Sequence, residues 1–442
     1  MKRFNKTFLA ISITLASSQA MAAGFQLNSQ SATGLGRAMA GDAVIADNAS
    51  VLSRNPAAMA LFKDKAVSLG ITYADVQVEV DNVSSSTTDF GSDDSAGSGK
   101  IIPNAYYIQP INESWAMGFA AFSNFGTGTD TSDITKNTTA NTQAPIDLLG
   151  ETEITSIDFN ASVSYRFNEY FSLGLGVDFV YGTGKLTRNG PLYFPGTSTV
   201  IVADQTVADV EASGWGVGGI AGLVYEINEN NRIGLSYRYS PTINADGDNN
   251  DSVGALTSAS TYGYYNQIEI PLPNIAQLGG FHQITEHFAL SYTAQYTQWG
   301  EFDRITLLDC ASQTSLTSTT PTACTDPGSD YVLKEYQWDD SWLFSVGGTY
   351  DINDTWTARI GYMYDQGVVG DLSSLSIPDS DRNWYTGGVS YHFNQKSSLD
   401  LGIAFVRGKK THLTETSSLI GDVTATTSSN AVYYSMQYSY NF

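Results

Sequence analysis

Basic residues are scarce in this 442-residue chain, which has 22 Lys and Arg against 45 Asp and Glu and a formal net charge of −23 at pH 7. Nucleic acid binds proteins through clustered Lys and Arg side chains that neutralise its phosphates. Nucleic acid is therefore not expected as a partner. The acids concentrate in polar stretches such as 89–94 and 246–251, which are interpreted as solvated loops. A divalent-cation bridge to an anionic lipid surface is the alternative interpretation of these stretches.

Long apolar runs are also missing, since the chain after residue 22 has no stretch of about 18 uninterrupted apolar residues. This absence excludes ordinary membrane-spanning helices. One short apolar run, residues 8–16, follows Lys2, Arg3 and Lys6 and precedes the small-x-small site at 20–22. That order is typical of a secretory signal peptide, which we predict over residues 1–22.

Catalytic and metal-binding patterns are absent as well. The four histidines show no metal-ligand spacing, and the chain has no Gly-x-Ser-x-Gly motif. Residues 214–219 match Gly-x-Gly-x-x-Gly, but they lie in a strand pattern without the helix that a nucleotide site requires. We expect no enzyme activity, no metal and no cofactor, and a Ser-His hydrolase assembled from scattered residues is the alternative. The histidines are His282, His287, His392 and His412.

Only two cysteines are present, Cys310 and Cys324. Both fall in one long polar segment of a chain that is expected to be exported. A disulfide is therefore favoured over a metal or redox site. Such a bond would brace the loop and would carry no chemistry.

In place of apolar runs, the chain alternates apolar and polar residues. In residues 356–365 the even positions are Trp, Ala, Ile, Tyr and Tyr, and the odd positions are Thr, Arg, Gly, Met and Asp. A strand with one apolar and one mostly polar face is typical of a transmembrane β-barrel. A soluble β-sandwich would alternate too, so the connections between the strands must separate the two folds.

The connections between the strands alternate in length. Short turns at one end and long loops at the other are typical of an outer-membrane barrel. We predict an all-β fold, a transmembrane antiparallel barrel of about 14 strands over residues 65–442, in the outer membrane of a Gram-negative bacterium. The last strand alternates up to Phe442, and such a terminal aromatic resembles the signal read by the barrel assembly machinery. Short turns fall at 111–114, 168–169, 228–231, 285–286, 353–354 and 394–397, and long segments at 82–98, 127–151, 189–206, 244–265, 304–334, 366–380 and 408–430.

Residues 24–62 differ from everything that follows, because they are rich in alanine and poor in aromatic residues. Small residues with few β-branched side chains favour short helical turns. The charged residues Arg37, Asp42, Asp47 and Arg54 have too few large apolar neighbours to form a separate core. We interpret residues 23–64 as a mainly helical hatch that plugs the barrel lumen. The glycines of 214–219 are expected to make room for this plug or to permit a bend.

Two groups of distinctive motifs lie far apart in the chain. They are Gly-Phe-Gln-Leu-Asn at 24–28, Gly-Leu-Gly-Arg-Ala at 34–38 and Asn-Pro-Ala at 55–57, and then Ser-Ile-Pro-Asp-Ser-Asp-Arg-Asn-Trp at 376–384. Together these motifs resemble the FadL family of outer-membrane long-chain fatty-acid transporters, which includes members that take up hydrocarbons and toluene. The resemblance implies uptake of hydrophobic molecules: binding in an external loop groove, transfer to a pocket at the hatch, and exit through the barrel wall beside a kinked third strand.

The resemblance also implies roles for particular residues. A substrate carboxylate requires a cation; Lys185, Arg188, Lys334 and Arg382 lie near the upper ends of strands, and Arg188 and Lys334 are the chosen pair. Apolar loop residues suit an outer groove, although packing between loops is an equal alternative. The predicted sites are Phe25, Leu27, Arg188 and Lys334 for the pocket, Asn55, Pro56 and Ala57 for the hatch motif, Leu192, Tyr193, Phe194 and Leu256 for the groove, and Ser123, Asn124, Phe125 and Gly126 for the kink.

Two alternative functions stay open at this stage. One is uptake of aromatic or aliphatic hydrocarbons by the same route, which would require no cation. The other is a structural adhesin or a general diffusion porin. The expected partners are a long-chain fatty acid or another hydrophobic molecule, outer-membrane lipid and lipopolysaccharide, and the barrel is expected to be a monomer.

Overall fold

The structure is a computed structural model that describes residues 24–137, 142–194, 197–247, 253–257, 261–310, 328–370, 372 and 374–442. The predicted signal peptide, residues 1–22, lies outside the described residues.

The described part consists mainly of antiparallel strands. The strands are β1 (Ala66–Ser85), β2 (Asp89–Asp93), β3 (Lys100–Pro110), β4 (Trp115–Phe122), β5 (Gly126–Asp130), β6 (Glu151–Arg166), β7 (Phe171–Tyr193), β8 (Val200–Asn228), β9 (Asn231–Tyr239), β10 (Thr242–Gly247), β11 (Val253–Thr257), β12 (Thr261–Pro271), β13 (Ile275–Gln283), β14 (Phe288–Thr297), β15 (Arg304–Cys310), β16 (Tyr331–Glu335), β17 (Ser341–Asn353), β18 (Trp356–Asp365), β19 (Arg382–Asn394), β20 (Ser397–Gly408), β21 (Thr411–Ser417) and β22 (Gly421–Asn441). The helices are α1 (Ala32–Gly36) and α2 (Ser132–Asn137), with 3₁₀ turns at Ala49–Ser53, Pro56–Leu61 and Trp299–Glu301. No helix in these ranges is long and apolar enough to cross a membrane.

These strands close into a 14-stranded antiparallel barrel, which confirms the predicted barrel. Closure occurs at β1, which pairs with β3 on one edge and with β22 on the other. Closure pairs the two end strands of the sheet, so nearly all of the backbone hydrogen bonds that lipid cannot supply are made within the protein. The exception is a local gap beside the third barrel strand, described below. Five of the 14 barrel strands are interrupted and so consist of two consecutive labelled strands each. These pairs are β4 and β5, β9 and β10, β12 and β13, β14 and β15, and β16 and β17.

The outer face of the barrel carries the apolar residues that the alternation predicts. Ile360 on β18 is 71% exposed, whereas Met363, which points the other way, is fully buried. On β7 the exposed apolar residues include Leu175, Val177 and Phe179, and buried Asp178 lies between the last two. This apolar band faces the hydrocarbon of the membrane.

Several segments predicted as external loops are instead long strands. The predicted loop 189–206 is mostly strand, because β7 continues to Tyr193 and β8 begins at Val200. Likewise β2 and β21 form hairpins with β1 and β22 within predicted loops. The loop prediction was wrong here because polar, β-branched residues pair as strands above the membrane as readily as apolar residues do within it.

Residues 24–62, hereafter the N-terminal segment, lie against the inner face of the barrel. Residues 24–45 and 48–59 are buried. Ser31 begins α1 by accepting a hydrogen bond from the Gly34 N–H (2.8 Å). The buried Arg37 guanidinium is paired with buried Asp42 (3.0 Å) and with the more exposed Asp47 (2.8 Å), so its charge is compensated.

Glycines of the wall allow this close approach. A Cβ at Gly361 would lie 2.3 Å from the carbonyl carbon of Arg37, and one at Gly222 would lie 1.9 Å from Asn55 Oδ1. The glycines predicted for this purpose are different: Gly216 and Gly218 face Pro241 of the neighbouring strand position, not the N-terminal segment. The first of the two predicted roles, room for the plug, was wrong because the sequence does not show which strand face a glycine occupies. The other role, permitting a bend, stays a prediction.

Candidate functional site

The third strand of the barrel is interrupted between β4 and β5. Opposite it on β6, Phe122 pairs with Asp158 and Gly126 pairs with Thr155. Three residues, Ser123 to Phe125, therefore face two on β6, and one residue is extra. An extra residue of this kind bends the strand, as in a β-bulge.

The N-terminal segment pairs with this interruption. Gln26 forms an antiparallel bridge with Phe125. The Leu27 N–H donates to the Asn124 carbonyl and the Gly126 N–H donates to the Phe25 carbonyl, both at 2.7 Å. The first residues of the N-terminal segment thus act as a short strand on the free edge of the interrupted one.

A gap in the wall lies beside the interruption. The pairing of β3 with β4 ends at Ala105 and Ala121. In the described part of the chain, residues 100–104 of β3 have ladder partners only on β1. Above them, the Asp130 N–H donates to the Ala96 carbonyl (3.0 Å) and closes the gap at the top. We call the space between residues 100–104 and 122–129 the wall opening.

Phe25 is enclosed by aromatic rings. Its ring centroid lies 4.8 Å from those of Trp299 and Phe302 and 5.8 Å from those of Phe125 and Trp338. We call these five residues the aromatic cluster. Leu27 is also buried, but it packs in a different group of apolar residues with Leu35, Met363 and Trp384. The structure therefore separates the two apolar residues that were predicted to share a pocket.

Arg188 and Lys334, which were chosen from the sequence as a pair, line the same cavity. This polar pocket has a volume of about 210 Å³ and is completed by apolar and polar side chains from β7, β8, β16 and the segments above the barrel. The pocket lies above the apolar band. Phe179 is the last strongly exposed apolar residue on the membrane face of β7, and Arg188 lies nine residues beyond it on the same strand. Other lining residues include Leu148, Leu186, Leu333 and Ser376.

Arg188 is buried, and its hydrogen bonds to the described part of the chain all go to uncharged oxygens. Its guanidinium bonds to the carbonyls of Glu151 (2.7 Å) and Thr187 (2.9 Å) and to the hydroxyls of Thr152 (2.7 Å) and Ser376 (2.8 Å). Burial lowers the pKa of Arg188 to about 10, so the group stays charged at neutral pH.

Lys334 differs from Arg188 because it has a carboxylate partner. Its ammonium group contacts Glu415, whose other oxygen accepts a hydrogen bond from the Leu375 N–H (2.7 Å). Burial, and then the charge of Arg188, lower the pKa of Lys334 to about 8. The pocket also contains Asp147, whose carboxylate accepts hydrogen bonds from the hydroxyls of Ser417 (2.6 Å) and Ser418 (2.8 Å). Among the described residues Arg188 forms no ion pair, so an anion entering the pocket could pair with it.

The two other cations considered from the sequence lie elsewhere. Lys185 is half-exposed and pairs with Glu151 (2.7 Å). Arg382 is fully buried and contacts Asp379 (2.5 Å), in the motif at 376–384. Neither lines the polar pocket.

The Asn55-Pro56-Ala57 motif fixes the N-terminal segment to the wall. The Asn55 side chain accepts from the Ala57 N–H (3.0 Å) and so begins the 3₁₀ turn at Pro56–Leu61. Its amide donates to the carbonyls of Ala43 (2.7 Å) and, on β8, Leu223 (3.1 Å). One side chain therefore ties two turns of the segment to a wall strand.

The predicted outer-groove residues are only partly described. Leu192 and Tyr193 end β7, and Phe194 beyond them is 54% exposed. Leu256 belongs to β11, and its side chain lies outside the described residues. Cys310 ends β15 and is buried, whereas Cys324 lies outside the described residues, so the predicted disulfide stays a prediction.

Sequence reasoning missed the partners of Phe25. Trp299 and Phe302 lie in the connection between β14 and β15, and Trp338 lies in the connection between β16 and β17. All three fall just outside the predicted loop 304–334. A signal was present, because aromatic residues in a polar connection have little reason to be exposed to water. Ser376, which accepts a hydrogen bond from Arg188, opens the motif at 376–384, but the motif did not indicate this contact. Thr152, the other hydroxyl partner of Arg188, carried no recognisable signal.

A closed antiparallel barrel with an apolar outer band and a short segment packed inside it is an outer-membrane barrel protein. The chain belongs to the family described as outer membrane protein transport protein (OMPP1/FadL/TodX), whose model matches residues 13–442. This membership confirms the resemblance found in the sequence and the outer-membrane location.

Relatives and solved structures match this chain along nearly its whole length. Outer membrane protein P1 of Haemophilus influenzae is 34% identical, over 99% of this chain and 97% of its own. A long-chain fatty acid transport protein of Escherichia coli is 31% identical, over 93% of each chain. Among solved structures, a Pseudomonas aeruginosa FadL homologue has a TM-score of 0.73 at 22% identity and covers 95% of this chain and 100% of its own. The Pseudomonas putida toluene transporter TodX has a TM-score of 0.64 at 19% identity, with the same coverage, and these two structures show the fold.

Proposed function

We propose that this protein takes up long-chain fatty acids across the outer membrane, and that it is not an enzyme. The observation that carries the proposal is Arg188, a buried cation whose hydrogen bonds within the described residues all go to uncharged oxygens. A buried charge without a counter-ion is costly. A fatty-acid carboxylate in the polar pocket would compensate Arg188 and leave Lys334 with Glu415. A hydrocarbon would leave Arg188 uncompensated, so the pocket favours the acid.

The proposed route runs downwards from this pocket. Leu186 lines the polar pocket and belongs to the same group of buried apolar residues as Phe25 and Phe302 of the aromatic cluster. Phe25 joins the cluster to Phe125 of the interrupted strand, next to the wall opening. An acid with its carboxylate in the pocket would direct its hydrocarbon chain towards this apolar path.

In this proposal the N-terminal segment, within residues 23–64, is the hatch. The short strand at Phe25–Leu27 covers the edge of the wall opening, and its two backbone hydrogen bonds must break for the opening to widen. The substrate would then leave sideways into the membrane. Passage straight down the lumen is opposed by the buried segment itself.

The remaining parts of the proposal concern the surroundings of the barrel. Leu192, Tyr193, Phe194 and Leu256 would form an outer groove that collects the acid before it reaches the polar pocket. The apolar band would contact membrane lipid and lipopolysaccharide, Phe442 would be read by the barrel assembly machinery, and the barrel would act as a monomer. The exposed ring of Phe194, directly after β7, supports the groove, since water disfavours an apolar side chain there.

The test compares oleate with oleyl alcohol, which has the same chain without the charge. Replacing Arg188 by Met keeps an apolar stem and removes the cation, so oleate should bind about tenfold more weakly, on the scale of one charge-assisted hydrogen bond. Binding of oleyl alcohol should change little, and Lys185→Met, outside the pocket, should change neither. Equal losses for the acid and the alcohol would show that Arg188 is only structural, and tighter binding of toluene than of oleate by the unaltered protein would favour the hydrocarbon alternative.

A further inference from the structure

An ion pair spans the wall opening. Lys100 begins β3 on one side, and its Nζ lies 3.9 Å from Oε1 of Glu153, which is on β6 on the other side. Between them runs β5, where the residue opposite Glu153 is Gly128. Because Gly128 has no side chain, the two charged groups meet across β5 without an obstruction at that position. The pair is thus placed where a substrate leaving through the wall must pass.

This ion pair is sheltered but loose. The Lys100 and Glu153 side chains are 12% and 13% exposed. Their separation of 3.9 Å is longer than a charge-assisted hydrogen bond, which is about 2.7–2.9 Å. Among the described residues, Glu153 Oε1 has no hydrogen-bond partner. By contrast, the neighbouring pair of Lys185 and Glu151 is at 2.7 Å but far more exposed. A carboxylate that approached Lys100 more closely could therefore replace Glu153.

Lys100 also lies at the outer boundary of the apolar band. It is opposite Ala74 on β1, and the next residue, Ile101, is opposite Tyr73. Ile101 and Tyr73 are 46% and 44% exposed, and Tyr73 stacks on Tyr434 of β22. Exposed aromatic residues are typical of the membrane interface of a barrel. A carboxylate held at Lys100 would lie at that interface, with its hydrocarbon chain along the apolar band.

We propose that Lys100 is a carboxylate-binding site of the wall opening, at which the departing substrate exchanges with Glu153. The site makes the opening selective for long-chain carboxylic acids over uncharged molecules of the same length, because an uncharged molecule cannot take the place of Glu153. This inference rests on the proposed function and adds a second point of selection to it. No covalent bond is made or broken.

The experiment measures uptake and binding separately. Lys100→Met removes the charge and keeps an apolar stem, Lys100→Arg keeps the charge, and Lys185→Met is the matched control on the same rim. Each variant is reconstituted in lipid vesicles after its folded state is checked by resistance to heat in detergent. Uptake of labelled oleate and of labelled oleyl alcohol is then followed, and oleate affinity is measured on the same preparations.

For Lys100→Met we expect oleate uptake to fall at least fivefold, with oleate affinity within twofold of the unaltered protein and oleyl alcohol uptake unchanged. Lys100→Arg should restore oleate uptake, and Lys185→Met should resemble the unaltered protein. Unchanged oleate uptake, or an equal fall for oleyl alcohol, would overturn the Lys100 site and leave the proposed function intact. If the unaltered protein takes up no oleate, the proposed function fails and the Lys100 site fails with it.

Discussion

At the scale of single residues, Phe25 connects the N-terminal segment both to the wall and to the aromatic cluster. It is completely buried, and four aromatic rings surround it. Its backbone carbonyl meanwhile accepts a hydrogen bond from Gly126 of the interrupted strand. A substitution of this side chain should therefore affect the wall opening without altering the pairing of the barrel strands.

Phe25→Ala is expected to weaken oleate binding by about 1–3 kcal/mol, the scale of one buried apolar side chain. The barrel itself should keep its resistance to heat and detergent, because its strand pairing does not involve Phe25. Isothermal titration of the folded variant with oleate measures the effect. Leu27→Ala is the matched control, since Leu27 packs in a separate apolar group and should have a smaller effect. Equal oleate affinity in Phe25→Ala and the parent would remove Phe25 from the substrate path.

At the scale of elements, the interrupted strand is the part of the barrel that departs from regular pairing. The residues opposite one another show that a single extra residue separates β4 from β5. Asn124 is held in this bend by the Asp158 carboxylate, which accepts from its side-chain amide (3.1 Å) and its N–H (3.3 Å). A buried, hydrogen-bonded bulge of this kind is a built feature of the wall.

Deleting Ser123 should make β4 and β5 one continuous strand. The link between them would then have two residues opposite the two residues of β6, instead of three. A continuous strand can pair further along β3 and so close the wall opening. Oleate uptake into vesicles should then fall at least tenfold while oleate binding in the polar pocket is retained. Ser123→Ala, which leaves the residue count unchanged, is the control. Normal uptake by the correctly inserted deletion variant would contradict exit through this part of the wall.

At the scale of the whole molecule, the barrel was predictable from the sequence because period-two alternation and turn lengths are local signals. The strand ends above the membrane could not be predicted in this way, as β7 and β8 show. In that part of the barrel no apolar face marks a segment as a strand. The polar pocket was reached through the resemblance, which indicated Arg188 and Lys334. The aromatic cluster was not reached, because Phe25 and Trp299 meet only when the barrel closes around the N-terminal segment.

The wall opening belongs to this larger scale as well. It depends on β3 and β5 failing to pair, on the Asp130 to Ala96 hydrogen bond above, and on the N-terminal segment inside. Glycines that interrupt the alternation of a strand indicate a bend in the wall. Only the register of three strands shows where the gap begins and ends. The same holds for the contact of Lys100 with Glu153, which are 53 positions apart in sequence.

Exit through the wall is tested most directly by locking the N-terminal segment onto the interrupted strand. Gln26 and Phe125 are directly opposite, and the flanking residues make the hydrogen bonds, so their Cα atoms are expected to be about 4.5 Å apart, within disulfide range. Gln26→Cys with Phe125→Cys, in a background with Cys310→Ser and Cys324→Ser, should therefore form a bond that a reductant opens. Oleate uptake is measured on the same vesicles before and after reduction. The oxidised protein should bind oleate but not take it up, and reduction should restore uptake; equal uptake in both states would contradict exit past the N-terminal segment.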